Sequence, residues 1–185
     1  MIGDSITQAN PINGDWSSLL RTPVVNRGII GFGLNYLDMI VDWLVAPQPS
    51  KVFIMIGIND IGRLAPDDMM NYYRHIISTI QSVSPKTRVY MQSVLPTKDA
   101  DNNKVIIIIN QKLKELCSEK GVVYINVYSA FLKGDVVNPR YVSDALHPNI
   151  RGYKVWANVL KRYFKPVVNA TLPASPPTPQ PIDSK

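Results

Sequence analysis

Four short stretches of this chain carry residue types that could do chemistry. Near the amino end, Gly3-Asp4-Ser5-Ile6-Thr7 sets a serine in a tight turn. Placed after a strand and at the amino end of a helix, such a hydroxyl meets free backbone amides that favour a developing negative charge. Alone, Gly-Asp-Ser is also an ordinary turn. The glycine-rich run Asn26-Arg27-Gly28-Ile29-Ile30-Gly31-Phe32-Gly33 could aim N–H groups at an anion, or merely supply a turn with positive φ angles. Its spacing is not Gly-x-Gly-x-x-Gly and no Walker lysine follows, which argues against a nucleotide loop. Gly57-Ile58-Asn59-Asp60 follows the apolar run Val52 to Ile56. An asparagine there can point its amide at an oxyanion, or close a simple Asx turn. Last, Asp144-Ala145-Leu146-His147-Pro148-Asn149 puts a carboxylate three residues ahead of a histidine. That spacing lets it hold one imidazole nitrogen and leave the other free as a base; a capping aspartate beside a surface histidine would look the same.

Each stretch is weak by itself. Together and in this order they supply a nucleophile, a base, an orienting carboxylate and oxyanion donors, which random turns would rarely do. A metal hydrolase is the competing reading of Asp144 and His147, and it fails on ligand count. The only other histidine is His75, inside a helical stretch. The single cysteine, Cys117, excludes an intrachain disulfide framework and a multi-cysteine zinc site.

These residues need elements to position them. The pattern predicts strands at Val24-Val25-Asn26, Lys51 to Ile56, Arg88 to Val94 and Val122 to Asn126. Helices are predicted near Asp15 to Arg21, Leu34 to Val45, Pro66 to Val83, Lys104 to Lys120 and Arg151 to Phe164. Pro66 with Asp67 and Asp68 behind it is a helix start, and Gly121 a helix stop. Val105 to Ile109 has strand propensity, but Ile106, Ile109, Leu113 and Leu116 share one helical face, so it reads as helix. Strand–helix alternation implies an α/β sandwich around a mainly parallel sheet, with ligand sites at the carboxyl ends of the strands. The motifs fall at such strand ends or, for Asp144 to Asn149, in the late loop before the final helix.

Of 185 residues, 45% are hydrophobic and 18% charged, which supports a packed core and excludes wholesale disorder. No apolar run approaches the ~18–20 residues needed to span a bilayer. The net charge of +6 comes from scattered residues rather than a basic stripe, so a basic surface is preferred to nucleic-acid binding. Six of the 15 prolines lie between Pro166 and Pro181. The domain is therefore drawn at 1–165, with 166–185 a proline-rich tail or linker.

The four motifs resemble those of the SGNH/GDSL hydrolase superfamily: Gly-Asp-Ser, a loop glycine, Gly-x-Asn-Asp and Asp-x-x-His. Trp16, Val25-Asn26-Arg27-Gly28 and Gly152-Tyr153 look closest to its carbohydrate acetylesterase and platelet-activating-factor-acetylhydrolase-like branches. The resemblance implies a three-layer α/β/α sandwich with a five-stranded, flavodoxin-like sheet. It makes Ser5 the nucleophile, His147 the general base and acid, and Asp144 the residue that orients His147. The oxyanion would meet the Ser5 and Gly31 amides and the Asn59 side chain. No cofactor or metal is implied.

The chain departs from the family pattern in three places. Only Met1-Ile2 precede Gly-Asp-Ser, where the family has a full central strand. This truncation would leave its neighbours poorly paired and suggests a natural chain that extends further, with export preferred to a cytoplasmic location. Phe32-Gly33 stand where relatives tend to carry Asp-Thr. Asp144-Ala145 replace Asp-Gly. With no lid helix and no long apolar insertion, a short acyl group, most plausibly acetyl on a sugar or glycan, is the expected substrate. Trp16, Tyr36 and Tyr141 are candidates for stacking on a sugar, although such aromatics more often sit in the core. The alternatives are a lysophospholipase or thioesterase on the same scaffold, or a catalytically silent glycan-binding module.

Overall fold

The computed structural model describes residues 1–9 and 15–164. The elements run β1 (Ile2–Gly3), α1 (Ser5–Gln8), α2 (Trp16–Leu20), β2 (Arg27–Gly28), α3 (Leu34–Val45), β3 (Lys51–Met55), α4 (Pro66–Val83), β4 (Arg88–Gln92), α5 (Ala100–Lys120), β5 (Val123–Ile125), β6 (Leu132–Lys133), β7 (Val136–Val137) and α6 (Ile150–Phe164). One five-stranded sheet has the order β2-β1-β3-β4-β5, and every pairing in it is parallel. The pair β6–β7 is a separate antiparallel hairpin. Helices α3, α4 and α5 pack side by side as one layer, and α2 packs on α6 in the other. This is the α/β sandwich that the alternation implied, in the three-layer form that the resemblance implied. The proline-rich segment 166–185 lies outside the described residues.

The core explains why the helices form where they do. On α4, Met69, Met70, Tyr73, Ile76, Ile77 and Ile80 bury one face, and Pro66 at the first turn has no N–H that would need an acceptor. α5 begins four residues earlier than the periodicity indicated, because Asp99 accepts from the N–H groups of Asp101 and Asn102 and caps an additional turn. Ile106 and Ile109 face inward while Ile107 and Ile108 are exposed, so the aliphatic run is helical. On the opposite layer, Phe53 of β3 lies between the rings of Tyr90 and Phe164, at 4.4 and 4.3 Å. That stack fastens the end of α6 to the middle of the sheet.

β1 is short and central. Ile2 and Gly3 pair with Ile54 and Met55 on one side and with Arg27 and Gly28 on the other. The start of β3 therefore has β4 as its only sheet neighbour, and its free side lines a cleft of about 460 Å³ with Met1, Val25 and Phe164. The expected strand Val24-Val25-Asn26 moves to Arg27–Gly28, the residues that pair with Ile2 and Gly3, while the Met1 amine donates to Val25 O at 2.8 Å just upstream. Val24 is held instead by the Ser17 hydroxyl, which accepts from its N–H. Among the described residues no helix is long and apolar enough to cross a membrane.

Candidate active site

Ser5 is the first residue of α1, a single turn capped by Asp4, whose Oδ1 accepts from the Ile6 N–H at 2.9 Å. A four-residue helix cannot satisfy its own last carbonyls, so other elements do it. The Tyr153 hydroxyl of α6 donates to Ile6 O at 2.7 Å. Trp16 Nε1 and Asn26 Nδ2 both donate to Thr7 O, at 3.0 and 3.2 Å. Gly3, just before, lies so close to the Met55 carbonyl and the Thr7 side chain that any Cβ would collide with them. The glycine of Gly-Asp-Ser is thus a packing requirement of the central strand.

His147 comes to Ser5 from the far end of the chain. Its Nε2 is 3.1 Å from Ser5 Oγ, and its Nδ1 is 2.9 Å from Asp144 Oδ2. The other Asp144 oxygen accepts from the N–H groups of Leu146 and His147 at 2.7 and 2.6 Å. The loop is pinned in turn: Asn149 donates to Arg140 O and Val142 O, and accepts from Arg151 and Gly152 N–H at the start of α6. Lys98 N–H bonds to Ala145 O. The backbone donors of His147 and Leu146, in that order, hold the exposed Asp144 carboxyl down to about 2, and the imidazole adds to this. Asp144 is therefore ionised and shaped to hold a proton on Nδ1, which leaves Nε2 facing the serine.

The glycine loop and the Gly-x-Asn-Asp block meet beside this pair. Asn59 Nδ2 donates to Phe32 O at 2.9 Å; an amide nitrogen carries two hydrogens, so the contact orients the side chain and leaves one donor over. Gly31 is exposed, with φ +74°. Among the described residues, neither its N–H nor that of Ser5 donates to a protein acceptor. Gly57 ends β3 at φ +120°, and the Tyr73 hydroxyl, which donates to Ile56 O, fills the space a Cβ would need. That turn therefore requires glycine twice over.

Several contributors escaped the sequence reading. Asp60 is buried and its Oδ2 accepts from Leu34 N–H at 3.0 Å, tying the Asn59 block to the start of α3; burial raises its carboxyl. Tyr73 braces the end of β3 and gave no signal in the sequence, while Tyr153, named there only as part of the resemblance, braces α1. Trp16 corrects an expectation: it is fully buried, edge-on to Trp156 at 4.7 Å, because its indole N–H is needed at Thr7 O. It has no face for a sugar. His75 lies on the exposed side of α4 against Asp38, away from the loops that hold Ser5 and His147. Among the described residues no group of three or more His, Cys, Asp or Glu could hold a metal ion.

Comparison with known proteins identifies the family. The chain matches the GDSL-like Lipase/Acylhydrolase family over residues 1–155. It is 24% identical to the GDSL esterase/lipase CPRD49 of Arabidopsis thaliana, across 89% of this chain and 77% of that protein. It is 25% identical to the isoamyl acetate-hydrolyzing esterase 1 homolog of Mus musculus, across 80% and 73%. Among solved structures, a Streptococcus pneumonia protein provisionally named a platelet activating factor superimposes with a TM-score of 0.76 at 28% identity, covering 88% of this chain and 81% of that one. A catalytic mutant of an acetylxylan esterase from Geobacillus stearothermophilus has the same fold, with a TM-score of 0.72 at 21% identity over 87% and 90%. Parallel strands that deliver a serine and an asparagine to one end of a sheet, a loop before α6 that brings a histidine to the serine, and a family match over residues 1–155 mean that this protein belongs to the GDSL-like lipase/acylhydrolase family and is a carboxylic ester hydrolase.

Proposed function

We propose that this protein hydrolyses short-chain acyl esters, acetyl above all, borne on sugars, with Ser5, His147 and Asp144 as its catalytic triad. The observation that carries the reading is the continuous relay from Ser5 Oγ through His147 to Asp144, at 3.1 and 2.9 Å. Serine is a poor nucleophile until a base takes its proton. In this reading His147 Nε2 accepts it as Oγ bonds to the ester carbonyl carbon. The carbonyl oxygen becomes an oxyanion held by the N–H groups of Ser5 and Gly31 and by Asn59 Nδ2, each donor lowering the barrier by about 3 kcal/mol. As the tetrahedral centre collapses, the alcohol leaves with the proton from His147. Water then gives His147 a proton, attacks the acyl-enzyme, and releases the acid with Ser5 restored.

The choice of acyl group rests on the absence, among the described residues, of a long apolar insertion near Ser5, and on the acetyl esters named for two relatives. The domain that carries the activity is taken as residues 1–165. The test compares p-nitrophenyl acetate, butyrate and octanoate with the chain and its Ser5→Ala variant. A rate at least ~10³-fold higher with serine, falling from acetate to octanoate, is expected. Equal rates from two folded proteins would overturn the triad. A rate that rises toward octanoate would shift the substrate to lipid-like esters.

A further inference from the structure

The outward side of α3 is apolar, where a solvent-facing helix side is ordinarily polar. Leu34, Leu37, Val41 and Val45 bury the inner face. Opposite them stand Tyr36, Met39 and Trp43, exposed by 51, 76 and 71%. This ridge starts at the active site. The Tyr36 ring stacks on Phe32 at 5.7 Å between centroids and 22° between planes, and the Phe32 carbonyl is the group that orients Asn59. Tyr36 and Trp43 lie two turns apart on the same side, which separates them by about 10 Å, a distance that a pair of linked pyranose rings covers.

We propose that Tyr36 and Trp43, with Phe32 behind Tyr36, form a track that binds the backbone of an ester-bearing polysaccharide and feeds it to the catalytic serine. This rests on the reading of the site as a sugar esterase. A pyranose ring has an apolar C–H face that suits a flat aromatic, while its hydroxyls need hydrogen-bonding groups alongside. α3 supplies both: the exposed Asn35 and Asp42 flank the aromatic ridge. A lipid surface fits poorly, since helices that lie on membranes carry Lys and Arg beside the apolar face. From Leu34 to Val45 the helix has two aspartates and no basic residue.

Binding is measured on the Ser5→Ala protein, so that no turnover consumes the probe, by affinity electrophoresis in gels containing acetylated xylan, deacetylated xylan or hydroxyethylcellulose. Retardation by at least one polymer is expected. Trp43→Ala and Tyr36→Ala should each weaken it about tenfold or more, while Ile108→Ala, on the exposed side of α5, should leave it intact. No retardation by any of the three, or retardation indifferent to Trp43 and Tyr36, overturns the track. So does Trp43-dependent sedimentation with phosphatidylcholine vesicles, or Trp43-dependent dimer formation, in the absence of polysaccharide binding. Hydrolysis of p-nitrophenyl acetate by the unaltered chain is scored separately. Its loss would remove the esterase reading and leave the binding result standing.

Discussion

Asp4 and Asp144 are carboxylates driven in opposite directions by their surroundings. Asp144 is exposed but accepts three N–H groups and stays ionised in any ordinary buffer. Asp4 is wholly buried. Its Oδ1 caps α1, and its Oδ2 has no hydrogen-bond partner among the described residues. Burial pushes this carboxyl up from 3.8 to about 6, against the pull of the Ile6 N–H and the His147 charge. Between those two values the folded protein holds more protons than the unfolded chain, so stability falls as pH rises through the window. The full loss, reached above pH 6, is on the order of 3 kcal/mol. Asp4→Asn keeps an acceptor for Ile6 and removes the charge. Urea unfolding at pH 4.5 and 7 should therefore show a much smaller decline for the variant than for the native chain. Equal declines would mean that Asp4 is ionised in both states. Asp144, titrating near 2, contributes nothing in this range.

At the level of elements, the one-turn helix α1 is the piece that cannot stand by itself. Its carbonyls are capped by side chains from α6, from α2 and from the approach to β2. Ser5 is positioned by residues up to 148 places away in sequence. Tyr153→Phe removes one cap and leaves a buried carbonyl without its donor, at a cost of about 1–3 kcal/mol. Because that carbonyl belongs to the residue after Ser5, kcat should fall several-fold while KM changes little. A drop in melting temperature with kcat unaltered would make Tyr153 merely structural. The long helices were legible because their apolar periodicity and caps are local: α3 and α4 begin and end where Leu34, Val45, Pro66 and Val83 said. β2 was not, because a two-residue strand has no pattern of its own and takes its place from the partner it finds.

Over the whole molecule, the strand order β2-β1-β3-β4-β5 reverses direction between β1 and β3. Open parallel sheets bind ligands at such a switch point, beyond the carboxyl ends of the strands. Ser5 leaves β1 and Asn59 follows β3, so both sides of that crevice carry groups of the proposed site. Away from that crevice, Phe164 at the end of α6 stacks on Phe53, the middle residue of β3. Phe164→Ala should cost about 2 kcal/mol, less than a fully buried phenylalanine because the ring is half-exposed. Since neither ring hydrogen-bonds or stacks on Ser5, His147 or Asp144, kcat at 25 °C should hold. Urea unfolding and a p-nitrophenyl acetate assay check the two halves; a parallel loss of kcat would show that the sheet transmits strain along its length.

The sequence by itself determined the alternation of strands and helices, the fold class, and the residue types in four short loop motifs. Each of these depends on near neighbours: apolar period, caps, turn chemistry and a three-residue Asp–His spacing. The Asp144–His147 contact is of that local kind and was legible as a possibility. Only the tertiary structure decided that His147 reaches Ser5 across 142 residues, that Trp16 is a buried donor rather than a stacking platform, and that Asp60 joins the asparagine block to α3. It also decided that Tyr36 and Trp43 face outward together. All four depend on how the layers close, and for Trp16 and Asp60 the demand comes from the backbone. A backbone carbonyl or N–H left without a partner must find one in space, and which side chain answers depends on how the layers close, not on its distance along the chain.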